Sequence, residues 1–478
     1  MRPPDRSRSH RSPDGESTGS RSESLGEVLA WLDRHINLEA IERGVAGRAA
    51  EPTLERIAAL TAAMGDPERS FPCIHITGTN GKTSTTRLCT ALVIAQGLSV
   101  GTYSSPHLVS LNERIAWNGE PIGDDELFDV LSPLAALEGF IRAENPGMLA
   151  PTWFELMTAA AYRFFADVAV DAGVIEVGLG GRYDATNVAD GAVAVATNVE
   201  LDHVSILGGT RAKIAWEKAG IVKPGCVAVV GDEDDDIVAV FEDEARRVGA
   251  AAFWRRGVEF DCVGNFAAHG GRVVSVRTPG ATYEDLFVPL YGAHQGDNVA
   301  IAVAAAEAFF GVPLDASVVA EALGSARVPG RLEVLGRRPL VVLDGAHNPA
   351  GARELVAFWD ENFAGVPIHL VYGALRDKPV DEICGLLFPR AATVILTEPH
   401  QPRALSASVL ASMTAHHASN IDIVPDPAAA LERAVRRAAP EDAVFATGSL
   451  YLVEDYRRGW ANLHAASDSS PTPRKSSR

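Results

Sequence analysis

The sequence predicts an α/β fold: a large domain on a mostly parallel sheet, then a smaller α/β domain. Three observations carry this expectation. Short apolar, β-branched segments alternate with helical stretches along most of the chain, the pattern of strands covered by helices on both faces. The 478 residues are enough for about three units at roughly 150 residues each, realistically two large ones. The strand-then-helix rhythm also restarts after Pro329-Gly330, which places a joint near Ser325–Arg331.

In chain order, residues 1–24 and 466–478 are rich in Ser, Arg and Pro and offer little to bury. Both are expected to be disordered. CIHIT (73–77) reads as a strand, Lys82–Gln96 as a helix stopped by Gly97, and SVGTYS (99–104) as a strand. Thr152 and Glu155 have the spacing of a capping box opening a helix through Phe165. AGVIEVG, AVAVATNV and CVAVV follow as buried strands, completing a domain over 25–326. In the second domain, 327–465, LVVLD (340–344) is the expected first strand. Asn348 as N-cap and Pro349 at the first helical position come next, and IHLVYG, TVILT, IDIV and AVFATG repeat the pattern.

Composition removes several function classes. Forty-three basic against 62 acidic residues leave a net charge of −19, which repels phosphate backbones and argues against a nucleic-acid partner. Five scattered cysteines without a CxxC pair fit buried thiols in a reducing compartment. No apolar run approaches the ~18 residues of a membrane span, and the N-terminus lacks an apolar signal core. A cytoplasmic protein without a membrane partner is expected.

Gly78-Thr79-Asn80-Gly81-Lys82-Thr83-Ser84 lies where a strand turns into a helix. Small residues let backbone N–H groups approach phosphate oxygens, the helix N-terminus adds positive potential, and Lys82 can reach terminal phosphates. Ile76 stands where the general P-loop pattern has its first glycine, so this is a shortened variant. A GTP switch is disfavoured, because the base-reading Asn-Lys-x-Asp is missing. Ser105 follows a strand in a Ser-Ser-Pro turn, which alone is more often structural than functional. Glu176 falls inside an apolar strand, where a carboxylate is costly unless paired or bound to a cation. His203 follows another strand and reads equally as a loop histidine. Such a hydroxyl, carboxylate and imidazole at strand ends would suit Mg²⁺ bridging two phosphates. Lys218 could be one half of a surface charge pair with Glu217, and Asp344 a favourable charge at a helix N-terminus.

In their order, GTNGKTS, SPHL with NERI, PTWFE, EVGLGGRYDATN, TNVELDH, WEKAGI, HQGDN, PGRLE and DGAHNPAG make the chain resemble the folylpolyglutamate synthase/dihydrofolate synthase family, a branch of the Mur ligases. The resemblance runs from about Leu25 to Trp460. It implies Mur ligase architecture: a P-loop-type ATP-binding N-terminal domain with a smaller Rossmann-like C-terminal domain. It also implies an ATP-dependent amide ligase that makes an acyl phosphate and adds L-glutamate to reduced folate and to dihydropteroate. The resemblance assigns ATP to Gly78, Thr79, Asn80, Gly81, Lys82, Thr83, Ser84, Asn298, Arg331 and Asp344, with His347 close to the nucleotide. It assigns Mg²⁺ to Ser105, Glu176 and His203, and a second Mg²⁺ to Lys218 in carbamylated form. Thr152 falls in the segment beside the pterin, though its capping role explains it equally well. Thr83 stands where many members carry glycine. A monomer acting on these small molecules is expected.

Two alternatives compete. A cell-wall Mur enzyme would carry a UDP-binding domain ahead of the loop, yet only residues 1–77 precede it. A nucleotide-binding protein without turnover would have lost the metal set or Lys218, and all are present. A single-activity synthase shares the same motifs.

Overall fold

A computed structural model describes residues 18–37, 53–418 and 420–468. Eight strands build the larger sheet: β1 (Cys73–Thr77), β2 (Val100–Tyr103), β3 (Ile115–Trp117), β4 (Glu120–Pro121), β5 (Ala172–Glu176), β6 (Gly191–Ala196), β7 (Val227–Val230) and β8 (Ala252–Arg255). Their order is β4-β3-β2-β5-β1-β6-β7-β8. The pairs from β2 through β8 are parallel, while β3 and β4 add an antiparallel hairpin at one edge.

The sheet is buried on both faces, as the apolar strands require. Leu88 and Leu92 of the helix Lys82–Ala95 share one core with Val299 and Val303 of the helix His294–Phe310. That second helix is rich in alanine (Ala300, Ala302, Ala304, Ala305 and Ala306 are all buried), so it can approach its neighbours closely. Leu156 and Phe165 of the helix Trp153–Asp167 pack on the opposite face with Tyr103 and Ile175. The capping box at Thr152 forms as expected: its hydroxyl accepts from the Glu155 N–H at 3.2 Å, and Glu155 Oε2 accepts from the Thr152 N–H at 2.7 Å.

A three-stranded antiparallel sheet, β9 (Asp261–Ala268), β10 (Gly271–Arg277) and β11 (Thr282–Val288), was not expected. Val274, Val276 and Leu286 turn inward against the helix His294–Phe310, whereas Val263, Phe266 and Phe287 face outward.

The third sheet holds β12 (Glu333–Arg337), β13 (Leu340–Leu343), β14 (Ile368–Tyr372), β15 (Thr393–Leu396), β16 (Ile421–Ile423) and β17 (Ala443–Thr447), ordered β12-β13-β17-β14-β15-β16. LVVLD is therefore not its first strand, because β12 precedes it and pairs antiparallel to β13. Asn348 caps the helix Pro349–Asn362 by accepting from the Gly351 N–H at 2.8 Å. Trp359 and Phe445 pack on one face of this sheet, Leu431, Leu452 and Val453 on the other.

Both expected disordered ends differ at their inner margins. A helix runs Thr18–Leu32, entering the 1–24 leader, because Leu25, Val28, Leu29 and Leu32 anchor it to the core and the chain stays helical upstream. The last helix, Leu450–Asp468, likewise passes residue 466. Residues 1–17 and 469–478 lie outside the described residues. Among the described residues no helix is long and apolar enough to cross a membrane.

Candidate active site

The C-terminal edge of the larger sheet gathers most of the predicted residues, the edge at which open parallel sheets bind ligands. Directly after β1, Gly78 has φ +152° and Gly81 φ +82°. A Cβ on Gly78 would lie 1.7 Å from Thr197 Oγ1, and one on Gly81 would lie 2.4 Å from Asn298 Oδ1. Neither position can carry a side chain without moving its neighbour. The loop is braced from the end of β6: Asn80 N–H donates to Asn198 Oδ1 at 2.9 Å, and Thr197 Oγ1 donates to the Asn80 carbonyl at 2.6 Å. Glu200 N–H donates to Thr79 Oγ1 at 2.9 Å.

Lys82 opens the helix after this loop and curls back, donating to the carbonyls of Gly78 at 2.9 Å and Thr79 at 3.2 Å. Lys218 reaches the same Gly78 carbonyl at 2.7 Å and is 3 % exposed, so it is no surface charge. It arrives there because its helix, Arg211–Ala219, ends against the loop after β5, where the Arg182 N–H donates to the Glu217 carbonyl at 2.7 Å. Burial pulls the Lys218 amine well below the ordinary lysine range, and the neighbouring Lys82 adds to the shift. Loss of solvent lowers Lys82 too, with the Glu176 carboxylate partly offsetting it.

Glu176 ends β5 in register with Ile76 of β1 and is 1 % exposed. Its Oε1 accepts from Thr83 Oγ1 at 2.8 Å, while Oε2 is buried with no hydrogen-bond partner among the described residues. Burial raises its pKa, and Lys82, the Thr83 hydroxyl, Arg331 and the Ser105 N–H partly offset the rise. Ser105 and Glu176 are thus brought together. The turn carrying Ser105 continues into one where Glu113 accepts from the N–H groups of Leu108, Val109 and Ser110 at 2.9, 2.9 and 3.0 Å. Those bonds explain why SPHL and NERI occur as a pair.

His203 is grouped elsewhere, beside Asp202, at a left-handed φ of +49°. Partial burial and the Lys378 charge push it down to about 3. Asp202 is the meeting point of the two halves of the chain. Its carboxylate accepts from Lys378 Nζ at 2.7 Å and Asn348 Nδ2 at 3.2 Å, with His347 Nε2 at 3.6 Å. Burial alone would raise Asp202, but the approach of His347 and the Lys378 charge outweigh it and hold the carboxyl below its usual range. Asn348 Nδ2 also donates to Asn80 Oδ1 at 2.9 Å, tying the C-terminal sheet's first helix to the glycine loop.

Lys378 was missed from sequence. Its signal is position: it follows β14 in Arg376-Asp377-Lys378-Pro379, at the edge of the C-terminal sheet that meets the larger one. Asn298 lies on Gly81 and donates to Gln295 Oε1 at 3.0 Å. Arg331 is close enough for its charge to act on both Lys82 and Glu176. Asp344 spends its carboxylate on the backbone, accepting from the N–H groups of Leu332 at 3.1 Å and Ala346 at 2.8 Å. Thr152 is accounted for by its cap.

Comparisons with known proteins bear on this geometry. Residues 154–306 match the Mur ligase middle domain, and residues 330–450 match the Mur ligase glutamate ligase domain. The chain is 40 % identical over 376 residues to the dihydrofolate synthase/folylpolyglutamate synthase of Mycobacterium tuberculosis, covering 76 % of this chain and 77 % of that protein. It is 36 % identical over 415 residues to the protein of the same name from Bacillus subtilis, covering 85 % and 95 %. Among solved structures, Mycobacterium tuberculosis folylpolyglutamate synthase complexed with ADP superposes with a TM-score of 0.85 at 35 % identity, covering 92 % of this chain and 99 % of that one. Escherichia coli FolC in complex with DHPP and ADP gives 0.80 at 29 % identity, covering 95 % and 100 %.

Proposed function

Because the chain belongs to the Mur ligase family, in its folylpolyglutamate synthase/dihydrofolate synthase branch, we infer that it is an ATP-dependent ligase adding L-glutamate to reduced folates and to dihydropteroate. The observation that carries this reading is the glycine loop Gly78–Gly81 at a helix start, with Lys82 and Lys218 both turned onto its Gly78 carbonyl and Glu176 held by Thr83 just after it.

In this reading the ATP phosphates lie against the loop N–H groups and the start of the helix at Lys82. Lys82 exchanges its two carbonyl contacts for the β- and γ-phosphates, where its charge offsets the charge developing on the transferred phosphoryl. Asn298 and Arg331 border the nucleotide, and Asp344 holds the linker that carries Arg331. The buried Glu176 Oε2 is the kind of acceptor a cation satisfies, so Glu176 with the adjoining Ser105 fits Mg²⁺, and His203, grouped with Asp202 in this structure, would have to move to join them. When bound, the ion supplies charge neutralisation at the phosphates. Burial of Lys218 lowers its pKa and so favours the uncharged amine that reaction with CO₂ requires, which supports its carbamylation and use at a second Mg²⁺. Lys378 and His347, meeting at Asp202, keep the two domains (25–326 and 327–465) closed over the acyl phosphate and away from water. We take the protein to be a cytoplasmic monomer.

Phosphate release from ATP and Mg²⁺ with glutamate, assayed beside dihydropteroate or tetrahydrofolate, tests the proposal. Release with both acids marks a dual enzyme, and release with one marks a single-activity synthase. No release with either, while ATP still binds, overturns the folate reading.

A further inference from the structure

Away from the cleft, Asp381, His416 and His417 place one donor atom each within 4.8 Å of one another. Asp381 sits in the first turn of the helix Val380–Leu387. The histidines follow the helix Ala407–Thr414, on the way to β16. Nε2 of His416 lies 3.2 Å, and Nε2 of His417 2.9 Å, from the same oxygen, Asp381 Oδ1. The two rings are 3.8 Å apart between centroids, inclined at 43°. His417 is the sheltered member at 19 % side-chain exposure, against 61 % for His416 and 64 % for Asp381. Its ring rests over Gly385, one turn after Asp381, where a Cβ would come 3.1 Å from Cε1.

We propose that Asp381, His416 and His417 bind one divalent transition-metal ion of the Zn²⁺, Co²⁺, Ni²⁺ or Cu²⁺ class. Metal–ligand bonds of about 2.0–2.2 Å put neighbouring ligands roughly 2.8–3.6 Å apart at octahedral or tetrahedral angles. The two observed separations fall at this spacing, so an ion can take the place of the Nε2 protons with little rearrangement, each ring keeping its proton on Nδ1. Hydrogen bonding alone gives the arrangement less reason to persist, because rings this close repel once both are protonated. Two imidazole nitrogens and one carboxylate oxygen select these ions over Mg²⁺ and Ca²⁺, which take oxygen ligands. Three protein ligands leave the remaining position to water. The ion would join the start of the helix Val380–Leu387 to the turn before β16, three residues beyond Lys378.

Isothermal titration of the full chain with Zn²⁺, in excess Mg²⁺, tests this on the wild type, Asp381→Ala, His416→Ala, His417→Ala and Glu176→Gln. His416 is exposed, so its replacement leaves the fold intact. One Zn²⁺ is expected to bind the wild type and Glu176→Gln alike. Each of the three ligand substitutions should weaken it by at least about tenfold, a loss that even groups merely orienting a ligand can cause. Co²⁺ bound to the wild type should show visible ligand-field bands that His417→Ala lacks. Absence of Zn²⁺ binding in excess Mg²⁺, or equal affinity in the three ligand variants, would overturn the proposal.

Discussion

Lys82 and Lys218, 136 positions apart in the chain, donate to one and the same oxygen, the Gly78 carbonyl, at 2.9 and 2.7 Å. Two cations sharing an acceptor out of solvent repel, and the buried one yields its proton first. Lys218→Arg fixes a cation there and cannot form a carbamate. Its phosphate release should fall by about 10²-fold or more, with ATP still bound. The intact wild-type protein equilibrated with CO₂ should carry the added mass of one CO₂, and Lys218→Arg should not. Wild-type rates in Lys218→Arg would refute the role given to Lys218.

Glu176→Gln separates stability from activity. The carboxylate is buried with one oxygen unpaired, so removing its charge relieves desolvation. Thermal unfolding should shift little or upward, while phosphate release falls by roughly 10²- to 10³-fold. A variant that unfolds early and turns over normally would contradict both halves of this expectation.

Gly78→Ala and Gly97→Ala should behave differently although both sites have positive φ. At Gly97 the space for a Cβ is open, and the cost is strain alone, about 1 kcal/mol. At Gly78 the new carbon meets Thr197 Oγ1, so loop and β6 must separate. Nucleotide affinity, measured by titration, should collapse in Gly78→Ala and stay unchanged in Gly97→Ala.

His75 gives the protein an acid-sensitive core. It is fully buried, its Nε2 is 2.9 Å from Thr186 Oγ1, and burial pushes it down from 6.5 to about 3. The unfolded chain takes up a proton near pH 6.5 while the folded one does not until about pH 3. The stabilisation is therefore complete above pH 6.5 and declines below it, by up to about 1.4 kcal/mol per pH unit. Urea midpoints between pH 7 and 5 should fall less steeply in His75→Gln than in the wild type.

Lys378 and Asp202 form a buried pair across the two sheets. Lys378→Met and Asp202→Asn should each slow phosphate release, and together by less than the product of their separate effects. A double-mutant cycle should give a coupling of about 1–3 kcal/mol. Strict additivity would mean that the pair does not act as a unit.

Local signals were legible in the sequence where one segment contains both partners. The glycine loop, the Thr152 capping box and the Asn348 cap are such cases. Lys378 was not legible, because a charged stretch reads as solvated surface until its partner, 176 residues away, is brought to it. The β9–β11 sheet escaped because register shifts at Val274/Val276 and Ser275/Val276 break its alternation, and apolar Val263 and Phe266 point outward. The leader misled for another reason. Composition reports what a segment can bury, whereas the helix from Thr18 is carried by the apolar residues downstream of it.

The linker between the two parallel sheets is packed upstream, where Ala326 and Val328 are buried in the core of the larger sheet, and tied by polar contacts downstream. Gly330 N–H is held by Glu333 at 2.7 Å, Glu333 by Arg457, and Leu332, left-handed at φ +44°, by Asp344. All three anchors belong to the C-terminal sheet and its last helix. The pivot for any rotation therefore lies before Gly330, and Arg331 is a passenger of the second body, not the first. Swinging that body outward would withdraw the guanidinium from Lys82 and Glu176 in the same stroke, so opening the cleft and removing this charge would be one motion.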